Sequence, residues 1–313
     1  MDDRTVIVTG GNAGLGYEAA KNIALTDPGY HLVLACRSMS RGDAAAATMR
    51  AETGNPHVRA MRLDLSSLDS AHAFATAFSM EDLPPLYAIV CNAGISAAGV
   101  PNSPRTEDGF EMIFGVNHLG HFLLTNLLLP AMSDQGRVVF VTSDLHDPPA
   151  FFPVRVRYRT GAAIAQGKAG MAQYCVSKLC NIYCAYEMAS LIQEQTDTRI
   201  TVNAFNPGAM SDTGFSAPAG SPFIRAAVRV IGGIMGALIG GRSTATESGA
   251  SLASLITSSE YADTTGVYVD RGSRAESSRL SHDRDNAREL WQASVSMTAL
   301  RPEETLFSSA NIR

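Results

Sequence analysis

The chain has no C-x-x-C pair, no stripe of lysine and arginine, and no basic, apolar leader before its first strand. Each absence excludes something. Without C-x-x-C spacing, the five cysteines (Cys36, Cys91, Cys175, Cys180 and Cys184) read as free buried thiols in a reducing compartment. An odd number, with three on one predicted helix, suits neither a disulfide framework nor a metal site. Without a basic stripe, and with a net charge of −5, nothing points to nucleic acid as a partner. Without a leader, a cytoplasmic location is the expectation. Charged residues are scarce at 18%, yet 45% hydrophobic content excludes a disordered chain. A length of 313 residues is enough for one large α/β domain with a full core.

What is present is alternation. Apolar strand patterns stand at Arg4–Val8, His31–Ala35, Val58–Leu63, Tyr87–Cys91, Arg137–Thr142, Ile200–Phe205 and Gly266–Val269. Helical patterns fall between them at about 14–26, 40–53, 68–78, 107–132, 168–195 and 244–258. Several strands are continuous apolar runs, as expected when both faces are covered. This predicts an α/β fold: a Rossmann-type doubly wound parallel sheet of about seven strands flanked by helices. No linker divides it. The expected organisation is one domain over 1–276, followed by a C-terminal helix (about Asp283–Ala299) and a loose tail after Arg301 over 277–313. In that helix Leu290, Trp291 and Val295 have core spacing. Residues 209–243 break the alternation, and Phe223–Ile239 is apolar but interrupted by Arg225 and Arg229. It is a poor transmembrane span. A substrate flap, a packed helix and attachment to a membrane surface are its three readings.

The most informative stretch is Thr9-Gly-Gly-Asn-Ala-Gly-Leu-Gly16, between the first strand and the first helix. A strand, a tight glycine turn and a helix N-terminus make a site for a dinucleotide pyrophosphate. Gly10 permits the turn, Gly14 lets the backbone approach the phosphates, and Gly16 lets the helix pack on the strand. Asn12 and Leu15 complete this cofactor loop. After the second strand stand Arg37 and Ser38, with no acidic residue to hold a ribose diol, which favours the extra phosphate of NADP. Asp64-Leu65 and Asn92-Ala93-Gly94 close the third and fourth strands, at carboxyl ends where ligands sit in such sheets. Asp64 is a candidate to face the adenine and Asn92 to support the sheet and the cofactor's edge, and a strand-end cap is an equal reading of either.

The chemistry rests on Ser143 and Tyr174-x-x-x-Lys178. Ser143 ends the fifth strand, and Tyr174 and Lys178 are four apart on one helix face. A nearby ammonium favours the phenolate of a tyrosine and lowers its pKa toward a useful value. The phenol then exchanges a proton with an alcohol or carbonyl oxygen as hydride moves to or from nicotinamide. Ser143 holds that oxygen. His118 and His121 share a helix without a third ligand nearby, so packing or hydrogen bonding is expected of them rather than metal. His146, Asp147, Phe151 and Phe152 follow Ser143 in a loop expected to border the substrate.

Together with Asn117 and Pro207-Gly208, these motifs resemble the short-chain dehydrogenase/reductase family over about residues 4–270. The resemblance implies that Asn117 supports a proton relay through a water and the lysine, that Ser143 positions substrate, and that Tyr174 is the acid/base. It implies that Lys178 also binds the nicotinamide ribose, and that Pro207, Gly208 and Thr213 line the nicotinamide. It further implies pairing in a homodimer through the two long central helices. Asn117-His-Leu-Gly-His-Phe-Leu-Leu124, Tyr174-x-x-Ser-Lys-Leu-Cys-Asn181 and Gly266-Val-Tyr268 are similar to the branch of retinol dehydrogenases and light-dependent protochlorophyllide reductases. The ending Ala287–Ser294 leans toward the pigment enzymes. Those enzymes carry a cysteine where Ala209 stands and a long insertion before the tyrosine, which this chain lacks.

The expected function is NADPH-dependent hydride transfer on a carbonyl or secondary alcohol of a bulky, apolar small molecule. The alternatives are reduction of a conjugated C=C bond, as in light-dependent protochlorophyllide reduction, and a silent NADP(H)-binding regulator. Retention of both Tyr174 and Lys178 favours turnover.

Overall fold

The computed structural model describes residues 3–96, 105–210, 242–309 and 311. Seven strands run parallel: β1 (Arg4–Thr9), β2 (Tyr30–Cys36), β3 (Val58–Arg62), β4 (Leu86–Cys91), β5 (Met132–Val141), β6 (Thr201–Asn206) and β9 (Tyr268–Asp270). An antiparallel edge strand, β10 (Ser273–Ala275), makes the sheet eight-stranded, in the order β10-β9-β6-β5-β4-β1-β2-β3. The chain order reverses between β1 and β4, the point where sheets of this kind form a ligand crevice at the carboxyl ends of the strands.

The sheet is covered on both faces. On one side lie α1 (Gly14–Thr26), α2 (Met39–Thr53) and α8 (Ala245–Thr257), around Val6, Val8, Ile23, Leu32, Val90 and Leu252. On the other lie α3 (Leu68–Ser79), α5 (Gly120–Leu128) and α7 (Met171–Gln195), around Ile7, Phe74, Ile89, Phe122, Phe140 and Ile182. Burial on both faces explains why the strands read as continuous apolar runs.

The long helix expected over 107–132 is not regular. It starts at α4 (Met112–Phe114), passes through a π-helical turn at Gly115–Leu119, and continues as α5. Gly115 and Gly120 bracket the turn, where weak helix formers let the ladder widen. Among the described residues one run, Met112–Ala131, is long and apolar enough to cross a membrane. In the fold, 83% of its most apolar stretch is buried, as in a core helix.

The short α6 (Gly161–Ala165) precedes α7, and α9 (Arg284–Thr298) lies against α7. Trp291 on α9 meets Phe122 edge-on, with ring centroids 4.9 Å apart. The tail is not loose, as Phe307 is 2% exposed and packs on Trp291 at 5.3 Å. Thr305 donates to Asn126 at 2.8 Å. All five cysteines are free and buried.

Candidate active site

The glycine turn sits at the sheet's reversal point. Gly10 and Gly14 have φ of +65° and +56°, which side chains disfavour, and the Gly10 amide donates to the Ala35 carbonyl at 2.8 Å. Helix α1 follows with no side-chain cap at Ala13 and no acidic residue in its first turn. Its leading N–H groups therefore face the crevice, as an anion requires. A Cβ at Gly16 would run into the Asn92 side chain and come within 2.7 Å of the Gly10 carbonyl. The nearest approach that needs glycine here is to the Asn92 side chain and to the turn itself.

Thr9 ties the ends of β1 and β4 together. Its hydroxyl accepts from the amides of Asn92 and Ala93, each at 2.9 Å, and its carbonyl accepts from Asn92 Nδ2 at 2.8 Å. Asn92 is thereby fixed to the end of β1. Gly94 has no room for a side chain, since a Cβ would lie 3.1 Å from Asn117 Oδ1 and 3.6 Å from Lys178 Nζ. The backbone here is a wall of the crevice.

At the end of β2, Arg37 is exposed and Ser38 caps α2. Arg62, on the neighbouring strand, donates to the Arg37 carbonyl at 3.3 Å. With Arg41 in the first turn of α2, three arginines gather at this edge. Asp64 is partly engaged in its own loop: its Oδ1 accepts from the amide and hydroxyl of Ser66 at 3.0 and 2.7 Å. Leu65 beside it is buried.

The four expected catalytic residues converge on the other half of the crevice. Asn117, in the π-helical turn, clamps Ile95: its Oδ1 accepts from the Ile95 amide at 2.8 Å and its Nδ2 donates to the Ile95 carbonyl at 3.1 Å. The same Nδ2 donates to Ser177 on α7 at 3.0 Å. The Ser143 and Tyr174 side chains are hydrogen-bonded to each other. Ser143 also accepts from the Leu145 amide at 3.2 Å and lies 3.3 Å from Asp144 Oδ1. Tyr174 and Lys178 share a face of α7, with Nζ 5.8 Å from the ring centroid.

The electrostatics differ from expectation in one respect. Burial pushes the Tyr174 phenol up from its ordinary value, and the Ser143 hydrogen bond offsets only part of this. Lys178 is buried, its pKa falls to about 8 through desolvation, and its Nζ donates to the Val141 carbonyl at 3.1 Å. Desolvation dominates the setting of the phenol, so Tyr174 is held as a neutral acid.

Tyr174 stands in an apolar patch with Ile113 and Cys175, against which Ile95, Leu145, Phe152 and Val154 pack. Phe151 points outward, 59% exposed. Asp147 is exposed in the same loop. His146 is buried beside the Ser143 loop. It bonds the Ser143 carbonyl through Nδ1 at 2.7 Å and accepts from the Ser278 amide at Nε2 at 3.0 Å. With Asp144, Asn206 and Tyr268 it lines a cavity of about 240 Å³. Asn206 accepts from the amides of Asp144 and Gly208, both at 3.1 Å, and so joins the Ser143 loop to the Pro207-Gly208 turn. Beyond it, β7 (Ala209–Met210) pairs in parallel with β8 (Arg242–Ser243). Thr213 and the Phe223–Ile239 segment fall between them, outside the described residues.

The short chain dehydrogenase family model matches residues 4–153. Retinol dehydrogenase 13 of Homo sapiens is 36% identical over 308 residues, covering 95% of this chain and 85% of its own length. The chain belongs to the short-chain dehydrogenase/reductase family. Within this family of nicotinamide-dependent oxidoreductases it falls in the retinol dehydrogenase branch. Polyprenol dehydrogenase of Danio rerio is 34% identical over 318 aligned positions, covering 96% of this chain and 88% of its own. A crystal structure of a protein from Mycobacterium Paratuberculosis superposes with a TM-score of 0.66 at 27% identity, covering 96% and 95% of the two chains.

Several residues that hold this dehydrogenase site together escaped the sequence reading. Asn181 shares the Val141 carbonyl with Lys178, at 3.2 Å. Ser177 links Asn117 to the Tyr174 carbonyl, to which it donates at 2.7 Å. Both lie within the Tyr174–Asn181 motif, and the signal available was their spacing from Tyr174 and Lys178 on one helix. Arg62 offered none, because only the register of β3 against β2 brings it beside Arg37.

Proposed function

We propose that the protein is an NADPH-dependent reductase of carbonyl groups on bulky, apolar molecules. The single observation that carries this reading is the setting of Tyr174: a neutral phenol paired with Ser143, facing a wall of Ile95, Leu145, Phe152 and Val154. A phenol kept protonated is an acid in waiting, as reduction requires, and an apolar wall favours a substrate with little else to solvate.

The fold fits the cofactor. The uncapped start of α1 and the Gly10–Gly16 turn suit a pyrophosphate, and Asn92 to Gly94 form a backbone wall beside it. Arg37, with Arg41 and Arg62 nearby, suits a 2′-phosphate, which supports NADPH over NADH. Pro207 and Gly208 stand at the nicotinamide side, and Lys178 at the ribose. The bound cofactor supplies the hydride.

The chain's own residues supply the proton and the alignment. Ser143 donates to the substrate oxygen and holds it near the phenol. Tyr174 gives its proton to that oxygen as negative charge develops there. The Lys178 ammonium stabilises the phenolate that remains, and Asn117 keeps the backbone of Gly94 and Ile95 in place against both. Retinol dehydrogenase 13 and polyprenol dehydrogenase carry names of apolar alcohols, which agrees with the apolar wall.

The test is NADPH consumption with paired carbonyl substrates, long-chain apolar against short polar, each also run with NADH. A higher kcat/KM for the apolar member with NADPH is expected. Equal rates across chain length, or a preference for NADH, would overturn the reading.

A further inference from the structure

One buried side chain outside the tetrad bridges the two halves of the crevice. His121 is fully buried on α5, four residues beyond Asn117. Its Nδ1 lies 3.2 Å from the Asn117 carbonyl oxygen, and its Nε2 lies 2.9 Å from Thr9 Oγ1. A carbonyl only accepts, so Nδ1 carries the proton and Nε2 is bare. Thr9 agrees with this assignment. Its oxygen accepts from the amides of Asn92 and Ala93, and of the two acceptors within reach of its single proton, the Val90 carbonyl at 3.2 Å and Nε2 at 2.9 Å, the bare Nε2 is the nearer. Burial lowers the His121 pKa to about 4 and the nearby Lys178 charge adds to this, against the Asn117 bond, so the ring is neutral.

The placement matters because Asn117 sits in the π-helical turn, where the regular ladder does not by itself fix carbonyl directions. We propose that His121 is a positioning residue of the reaction centre, a neutral bridge that holds the Asn117 turn to the strand ends carrying Thr9, Asn92 and Ala93. It touches neither substrate nor cofactor. The proposal rests on the reductase reading for what the centre does. Its two bonds have separate duties: the Nδ1 side aligns Asn117 and through it Ile95 and α7, while the Nε2 side steadies the loop against which the cofactor lies.

Two conservative variants separate these duties, since an asparagine nitrogen can stand near the place of Nδ1 and a glutamine oxygen near that of Nε2. His121→Asn is expected to keep kcat within about threefold while raising the NADPH Kd, read by fluorescence titration, at least threefold. His121→Gln is expected to lower kcat at least tenfold with the NADPH Kd within threefold. Nitrogen-15 NMR of the wild-type protein, with these variants used to assign the ring, is expected to show His121 neutral with its proton on Nδ1. Wild-type kcat and Kd in both variants would overturn the proposal. So would losses in both that merely track the folded fraction in thermal unfolding, or an Nε2-protonated or charged ring. If the wild-type protein reduces no carbonyl, the reductase reading fails, while the NADPH titration and the NMR tautomer still decide the bridge.

Discussion

Lys178 Nζ stands 5.8 Å from the centre of the Tyr174 ring while donating to the Val141 carbonyl at 3.1 Å. The one short bond ties a buried ammonium to the end of β5, and desolvation lowers its pKa to about 8 against an ordinary 10.5. Below pH 8 both folded and unfolded chains carry this proton, and the folded chain bears the cost of the buried charge. Between pH 8 and 10.5 the folded chain sheds a proton that the unfolded chain keeps, so stability from this group rises with pH.

Lys178→Met removes that dependence. The difference in unfolding free energy between wild type and variant is expected to move in the wild type's favour by about 3 kcal/mol from pH 7.5 to 10.5. Denaturant unfolding at a series of pH values measures it. A constant difference would mean that Lys178 is solvated in the folded chain.

Acid should act in the opposite window. Burial lowers His118 to about 3 and His121 to about 4, both below the ordinary 6.5. Folded-state values that are depressed give stability that is fully present above pH 6.5 and lost as pH falls toward 4. Each ring contributes a slope of at most about 1.4 kcal/mol per pH unit. His118→Gln is expected to reduce the slope between pH 6.5 and 4.5 by about one proton's worth, and an unchanged slope would contradict a neutral His118.

Cofactor choice should depend on the edge of β2. Arg37→Ala is expected to raise the NADPH Kd roughly tenfold, in keeping with the loss of one charged hydrogen bond, and to leave NADH binding unchanged. Titration with both nucleotides checks it. An equal loss for both would place Arg37 in general support of the fold.

Gly16→Ala should damage the join between turn and strand end. Its methyl group would meet Asn92 and the Gly10 carbonyl, and Asn92 Nδ2 holds the Thr9 carbonyl. A loss of about 1–3 kcal/mol of stability, read by urea unfolding, is expected together with weaker NADPH binding.

Much of this was legible in the sequence because it is local. The turn at Gly10–Gly16, the parallel order of the strands, and the shared face of Tyr174 and Lys178 all follow from spacing along a strand or helix. What was hidden depends on tertiary placement. The π-helical turn at Gly115–Leu119 breaks a run whose apolar period reads as one helix. Packing or hydrogen bonding was expected of His121, but its partner Thr9 lies 112 positions away and only the fold brings the two together. The bond of His146 to the Ser278 amide joins positions 132 apart, and Phe307 returns to the core with no periodic signal. The phenol of Tyr174 rises rather than falls because helix spacing says nothing of how deeply the ring is buried.

The central claim is that Tyr174 is the acid in carbonyl reduction, and Tyr174→Phe tests it most directly. With a long-chain apolar aldehyde and saturating NADPH, kcat is expected to fall by roughly 10²–10⁴ while the NADPH Kd stays within threefold. A variant that binds NADPH normally and keeps wild-type kcat would contradict the account.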